Sequence, residues 1–249
     1  MSRWVAILIC SFGIVLGASL SASAIPNPAI YFHEGKTPRG LKDVTIDLSI
    51  DSQQALSIAV RTQRLLLRSV EPCDLPGMVE LFGNPKVMEK YADGKARTPE
   101  QVAARFQSFY NRWQTMDPYS GFAITLIDEN LSPQEYPFLG LFVLGHGDEP
   151  GQSEMAFLLH EHCWNQGYGK EAAIAIVHNL APFLMLKGYS LEGLPLKQIV
   201  ATARIDNIAS IKILEALGME FVGISEKYGY DRRHYAIDAA HLVIGIMPH

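Results

Sequence analysis

Apolar positions along the chain change their spacing several times, and each change predicts an element. Leu65 and Leu67 alternate with Leu66 and Arg68, which predicts a strand ending near Val70. Asp74 then stands where it can cap a helix through Leu75, Met78, Val79 and Phe82, stopped by Gly83-Asn84-Pro85. Thr98-Pro99-Glu100-Gln101 combines a capping threonine, a first-turn proline and a glutamine at the capping-box position. Val102, Phe106, Phe109, Tyr110 and Trp113 follow at helical spacing, the stripe of a core-facing helix. Phe122 to Ile127, Phe138 to Leu144 and Ser153 to Leu159 read as three strands of a meander, separated by turns rich in Gly, Pro and Asn. A long helix over roughly Tyr168 to Lys187 comes next, with Pro182 set to kink or end it. Gly188 to Lys197 reads as a loop and Gln198 to Ala203 as a strand. A helix from Asn207 buries Ile208, Ile211, Leu214 and Leu217 and stops at Gly218, and a closing hairpin covers Phe221 to Lys227 and His234 to Ile246. The sum is an α+β fold with a mixed, strongly twisted central sheet and helices on both faces.

Upstream the pattern is different. Arg3 precedes the apolar run Trp4 to Leu20, and Ala22-Ser23-Ala24 fits a small-residue cleavage site. We read residues 1–24 as a signal peptide that directs export and leaves Ile25 as the new N-terminus. The alternative is an uncleaved helix anchoring the chain in the membrane through residues 4–20, a length at the lower limit for a span. Residues 25–60 read as a linker or N-terminal extension. Pro26, Pro28, Gly35, Pro38 and Gly40 punctuate it, and one strand is marked by Val44-Ile46-Leu48-Ile50. Residues 61–249 form the main domain.

Composition narrows the function classes. Hydrophobic residues make up 48% and charged ones 19%, enough for a sizeable core. The net charge is −5 and no Lys/Arg cluster stands out, so nothing points to a nucleic-acid partner. The chain has three cysteines, and Cys10 leaves with the signal. The remaining Cys73 and Cys163 could pair arithmetically, but two are far below a disulfide scaffold.

The stretch with most chemistry is His160-Glu161-His162-Cys163-Trp164-Asn165-Gln166-Gly167-Tyr168-Gly169-Lys170-Glu171-Ala172. Its order is strand, glycine turn, helix. The first N–H groups of a helix lack partners within it, and the dipole places partial positive charge there, so the turn suits a phosphate or pyrophosphate. Three readings compete. A P-loop needs Ser or Thr after Gly-Lys, and Glu171 stands there. A dinucleotide fingerprint fits Gly167-x-Gly169-x-x-Ala172, but seven residues, His160 to Gln166, separate it from its strand, and hairpins precede it. The third reading is a coenzyme A pyrophosphate site. It is supported by a second stretch, Asn207-Ile208-Ala209-Ser210-Ile211-Lys212-Ile213-Leu214-Glu215-Ala216-Leu217-Gly218-Met219.

Together these stretches resemble the GNAT superfamily of acetyl-CoA-dependent N-acetyltransferases, and within it the branch of ribosomal-protein alanine N-acetyltransferases. Thr62-Gln63-Arg64-Leu65-Leu66-Leu67-Arg68 is similar to that branch's opening strand. Trp164 to Ala172 is similar to its acyl-CoA loop, with Asn165 in place of a glycine. Asn207, Ser210, Leu214 and Leu217-Gly218 are similar to its C-terminal helix, with Met219 in place of a phenylalanine. The resemblance covers roughly Arg61 to the C-terminus and implies this same order of elements, with Cys73 and Cys163 as two free thiols.

The resemblance implies transfer of an acetyl group from acetyl-CoA to a primary amine by direct attack on the thioester. Backbone groups of Gln166, Gly167, Tyr168, Gly169 and Lys170 would hold the pyrophosphate. Leu158 and Leu159 would offer backbone groups to the pantetheine arm, and Asn207 would bond it while capping its helix. Much of the superfamily has a tyrosine where this chain has Leu214, so Ser210 becomes the candidate donor to the sulfur, with Tyr228 and Tyr230 in reserve. Glu154 is the first candidate base and Glu226 the second. His160-x-His162-Cys163 lacks the second ligand pair of a metal site, so no metal is expected. His178 reads as packing or surface. The acceptor class stays open among a protein N-terminus, a lysine, a polyamine and a small-molecule amine. Export sits awkwardly with a cytosolic cosubstrate, which leaves a second reading, an exported non-catalytic module that keeps the acyl-CoA fold for binding.

Overall fold

The computed structural model describes residues 40–243. Residues 1–24, the expected signal peptide, lie outside them. Three strands come first: β1 (Thr45–Ile50), β2 (Leu56–Arg61) and β3 (Leu65–Ser69). The region read as linker with one strand therefore contributes two strands to the domain. Leu56, Ile58 and Val60 are buried while Ser57 and Arg61 are exposed, the period of a strand with one covered face. Asp51 closes the β1–β2 turn by accepting from the Gln53 and Ala55 N–H groups, each at 2.8 Å. Just upstream, Leu41 N–H donates to Asn179 Oδ1 at 3.2 Å, and Asn179 Nδ2 donates back to the Leu41 carbonyl.

Helices α1 (Leu75–Gly83), α2 (Pro85–Met88) and α3 (Pro99–Gln114) follow. Asp74 does not cap α1 with its side chain. Its Oδ2 accepts from the Glu71 N–H at 2.7 Å, and both carboxylate oxygens take the Arg68 guanidinium at 2.7 and 2.8 Å. The Thr98–Gln101 capping box forms as expected, and Val102, Phe106, Phe109 and Trp113 are buried. The meander is β4 (Gly121–Leu126), β5 (Phe138–His146) and β6 (Gln152–Leu159). The expected long helix is α4 (Tyr168–Ile174), a π-helical stretch (Ala175–Leu180) and α5 (Ala181–Leu186). Its irregularity lies in the wider turn ahead of Pro182, which makes room for a ring that clashes with a regular preceding turn.

The expected loop after α5 carries a short hairpin, β7 (Ser190–Leu191) and β8 (Leu194–Pro195). Then come β9 (Gln198–Arg204), α6 (Ile208–Ala216), β10 (Glu220–Lys227), β11 (Tyr230–Asp238) and α7 (Ala240–Val243). The last strand thus ends at Asp238 rather than near Ile246. There Ala239 N–H turns to donate to the Lys197 carbonyl at 2.8 Å and a helical turn takes over. Ile208, expected in the core, is 55% exposed, because the first turn of α6 overhangs a cleft; Ile211, Leu214 and Leu217 are buried as expected.

Nine strands form one mixed sheet in the order β1-β2-β3-β4-β5-β6-β9-β11-β10. Successive residues of β4 and β5 are buried, which requires cover on both faces. Helix α3 covers the face carrying Gly121 and Val143. A Cβ on Gly121 would lie 2.8 Å from the Phe109 ring, and Val143 pairs with both Gly121 and Ala156. Helix α4 covers the opposite face, where Gly169 lies against Phe157 and Leu159. The β6–β9 pairing is parallel, and it joins only Gln152 to Gln198, Ser153 to Ile199 and Glu154 to Val200. Beyond these residues the two strands continue unpaired with each other, so the sheet opens between them. Among the described residues no helix is long and apolar enough to cross a membrane.

Candidate active site

The opening between β6 and β9 leads into a cleft of about 950 Å³ whose walls come from α2, α3, β6, α4, α6 and the β10–β11 turn. On the β6 edge the backbone is set by strand alternation. His160 N–H donates to the Leu139 carbonyl, so the even-numbered residues of β6 turn their backbone groups to β5. The Leu158 carbonyl in particular lies against β5, where a Cβ on Gly140 would meet it at 2.1 Å. Phe157 and Leu159 therefore face the opening, and the Leu159 carbonyl is taken by Trp164 Nε1 at 2.9 Å. Phe157, which the sequence reading passed over in favour of Leu158, presents a backbone N–H and C=O to the cleft. Only the residue-by-residue register distinguishes the two.

The glycine turn closes one end. Gly167 has φ +83 and caps α4, a conformation that favours glycine, and a Cβ there would also press on Arg64 Nη2 at 3.3 Å. At Gly169 the nearest atoms to a Cβ would be side-chain carbons of Ile213 and Leu159, at 3.4 and 3.5 Å, so the protein's own packing tolerates a Cβ there. Gly167, Tyr168, Gly169 and Lys170 line the cleft. Gln166 does not: its side chain donates to the His162 carbonyl and its own carbonyl accepts from Arg64 Nη1. On the opposite lip Asn207 caps α6, its Oδ1 accepting from Ser210 N–H at 3.3 Å. That bond leaves the Asn207 amide hydrogens outside the cap, and both Asn207 and Ser210 line the cleft.

On the α3 face of β6, Glu154 lines the cleft and is ion-paired with Lys227 at 3.2 Å. Burial pulls the Lys227 ammonium pKa down, but Glu154 opposite outweighs it and holds the value above the ordinary lysine range. Glu226, the second candidate base, is exposed on β10 and does not line the cleft. Tyr228 does line it, whereas Tyr230 packs under the Arg204 guanidinium at 3.9 Å. Tyr91 is a further lining phenol; burial raises its pKa, and Arg105 Nη2 donates to its oxygen at 3.2 Å. Tyr91, Arg105, Arg112 and Arg232 were not predicted from sequence, since only Arg105 and Arg112 share an element, α3, and the set shares no motif.

Cys163 is buried and Cys73 exposed, both free thiols. The His160 and His162 rings stack with centroids 5.5 Å apart. Among the described residues no group of three metal-ligating side chains comes together. His178 is buried, with Nε2 at 2.9 Å from the Leu217 carbonyl.

Residues 64–220 match the acetyltransferase (GNAT) domain family. The chain belongs to the GNAT acetyltransferase family. Among curated proteins it is 27% identical over 184 residues to the uncharacterized N-acetyltransferase YnaD of Bacillus subtilis strain 168, spanning 72% of this chain and 95% of that one. Among solved structures it is similar to a GNAT-family acetyltransferase from Bacillus anthracis, with TM-score 0.56 and 22% identity over 72% of this chain and 98% of that chain. It also superposes on RimL, a ribosomal L7/L12 α-N-protein acetyltransferase in complex with coenzyme A, with TM-score 0.53 and 16% identity over 71% of this chain and 95% of that one. At these identities the structural likenesses establish the GNAT fold, the α+β architecture expected from the sequence.

Proposed function

We propose that this GNAT protein is an acetyl-CoA-dependent N-acetyltransferase acting on a primary amine, of the branch that includes ribosomal-protein N-terminal acetyltransferases. The observation that carries the reading is the opened β6–β9 edge, with Phe157 and Leu159 backbone groups facing the gap, the Gly167 turn at its end and Asn207 on its other lip. These residues fit coenzyme A. N–H groups at the start of α4 receive the pyrophosphate, and Lys170 adds charge. Phe157 extends the strand-like pairing to the pantetheine amides, and the Asn207 amide hydrogens reach the same arm.

Acetyl-CoA supplies an acetyl thioester, whose C–S bond breaks as the N–C bond of the amide forms. The chain's own groups handle the protons. An α-amine at pH 7 costs about 1 kcal/mol to deprotonate and a lysine side chain about 4.6 kcal/mol. An N-terminal or otherwise weakly basic amine therefore needs little more than a positioned acceptor for its proton. Glu154 provides one, relayed to solvent through the cleft. The Ser210 hydroxyl donates a hydrogen bond to the departing sulfur, in place of the tyrosine that Leu214 replaces.

Release of free thiol from acetyl-CoA, followed with a thiol reagent against a panel of amines, tests the reading. Amine-dependent release supports it. Acetyl-CoA binding without release by any amine favours the non-catalytic module. We further propose export, supported by the Arg3, Trp4–Leu20 and Ala22-Ser23-Ala24 pattern. A mature chain beginning at Ile25, read by mass spectrometry, would support this, and an intact Met1 would count against it.

A further inference from the structure

The end of the cleft beyond Glu154 is crowded with guanidinium groups that lack carboxylate partners. Arg105 and Arg112 project from one side of α3, and Arg232 comes from β11. Among the described residues none of the three lies within ion-pairing distance of an acid. Three carboxylates line the cleft. Asp206 is paired with Arg204 and Lys90, Glu154 with Lys227, and Glu89 is exposed.

Arg232 is only 6% exposed. Its Nε donates to Thr202 Oγ1 at 2.9 Å and its Nη2 to the Thr202 carbonyl at 3.1 Å, while Nη1 is buried with no partner. Arg105 Nη2 donates to Tyr91 and its guanidinium lies over the Phe82, Tyr91 and Phe109 rings at 5.4, 5.9 and 5.8 Å, with Nε buried and lacking a hydrogen-bond partner. Buried donors on charged groups are almost always satisfied, because leaving one unmade in a low-dielectric site is costly. Two such donors around one cleft call for an acceptor that arrives from outside. Coenzyme A phosphates are provided for elsewhere: α4 covers the Phe157 face of β6, and Glu154 and α3 stand on the other.

We propose that the acceptor carries an anionic group, a carboxylate or a phosphate, close to the amine that is acetylated, and that Arg232 and Arg105 receive it. This rests on the acetyltransferase reading and narrows its substrate class. A guanidinium matches either oxyanion with paired N–H donors. The same positive charge disfavours the ammonium form of an incoming amine, which brings it closer to the neutral form that attacks. A polyamine, by contrast, would set further ammonium groups against Arg105, Arg112 and Arg232.

The test is calorimetric titration of the full-length protein, first with coenzyme A and then, once saturated, with matched probes. The pairs are O-phosphoethanolamine against ethanolamine and L-alanine against L-alaninamide, with spermidine as the polycationic competitor. At least one anionic member is expected to bind ten-fold or more tighter than its neutral twin, and the pair that discriminates identifies phosphate or carboxylate. R232Q is expected to reduce that ratio below about three-fold while coenzyme A affinity is retained, and R232K to restore part of it. R105Q, on a different element, is expected to weaken the same ratio and stands in should R232Q fail to fold. Equal affinities within both pairs, no binding by either anion, tighter binding of spermidine, or an unchanged ratio in the variants overturns the proposal while the enzyme reading stands. Absence of coenzyme A binding overturns the enzyme reading and this proposal with it.

Discussion

Arg64 Nε donates to Glu171 Oε2 at 2.7 Å, and Arg64 Nη1 donates to the Gln166 carbonyl at 2.9 Å. Thr62 Oγ1 adds a bond to Glu171 Oε1 at 2.6 Å, and the Arg64 guanidinium lies over the Tyr168 ring at 4.6 Å. Two sequence motifs a hundred residues apart, the Thr62-Gln63-Arg64 turn and the Gly167 loop, are thus one physical unit. R64M should leave the fold nearly intact, since a pair with Arg64 42% exposed contributes at most about 1 kcal/mol. It should release the loop, however. The expected result is an acetyl-CoA KM raised by about ten-fold, equivalent to about 1.4 kcal/mol of binding. Steady-state kinetics with acetyl-CoA as the varied substrate checks this.

In the proposed mechanism Ser210 and Glu154 act on different protons, so their variants should separate. S210A should lower kcat by about ten-fold or more, the low end of what a positioned proton donor contributes. Its acetyl-CoA KM should stay within about two-fold, because the Asn207 cap uses the Ser210 backbone N–H rather than its hydroxyl. E154Q should lower kcat most for the most basic amines and least for weakly basic ones. A kcat loss independent of amine pKa would remove Glu154 from the proton path.

Gly140 is a fold prediction. A Cβ there would lie 2.1 Å from the Leu158 carbonyl, a backbone atom with nowhere to move inside the β5–β6 ladder. G140A should destabilise by about 3 kcal/mol, read as a lower urea midpoint at unchanged slope.

His160 gives a pH prediction. Burial pushes its pKa below 6.5, and the neighbouring His162 pushes the same way. The folded state therefore favours the neutral ring. The stabilisation is present above the ordinary histidine value and is lost as the pH falls through the lower folded value. Melting temperature should fall as the pH drops below about 6.5 more steeply in the unsubstituted protein than in H160N.

The sheet and helices were largely legible because each carries its own periodicity or cap. The Thr98–Gln101 box and the Gly218 stop announce helix ends in a few adjacent residues. The β2 strand was as regular as its neighbours, with Leu56, Ile58 and Val60 alternating, but glycines and prolines upstream drew the boundary past it. Ile208 misled because its spacing matches a core stripe while its turn overhangs open space. The glycine-turn and Asn207 sides of the cleft lie in contiguous motifs, but that Phe157 rather than Leu158 turns its backbone groups to the opening follows from register alone. The arginine-lined end of the cleft was not legible. Tyr91, Arg105 and Arg232 meet only through the fold, and nothing in the local sequence around any of them marks the others.

The most direct test of the central claim is the melting temperature of the purified protein with and without acetyl-CoA, in parallel with G169E. At about one hundred times Kd the ligand adds ~2.7 kcal/mol, a rise of roughly 5–10 °C for a domain of this size. A Cβ at residue 169 would make ordinary contact with Ile213 and Leu159, and an acid in the first turn suits the α4 dipole, so the variant is expected to fold, which its own melting transition checks. Its carboxylate would oppose the pyrophosphate. A rise with acetyl-CoA, none with NADH, and none in folded G169E is the predicted result. No rise in the folded, unsubstituted protein, or an equal rise in G169E, would contradict the site described.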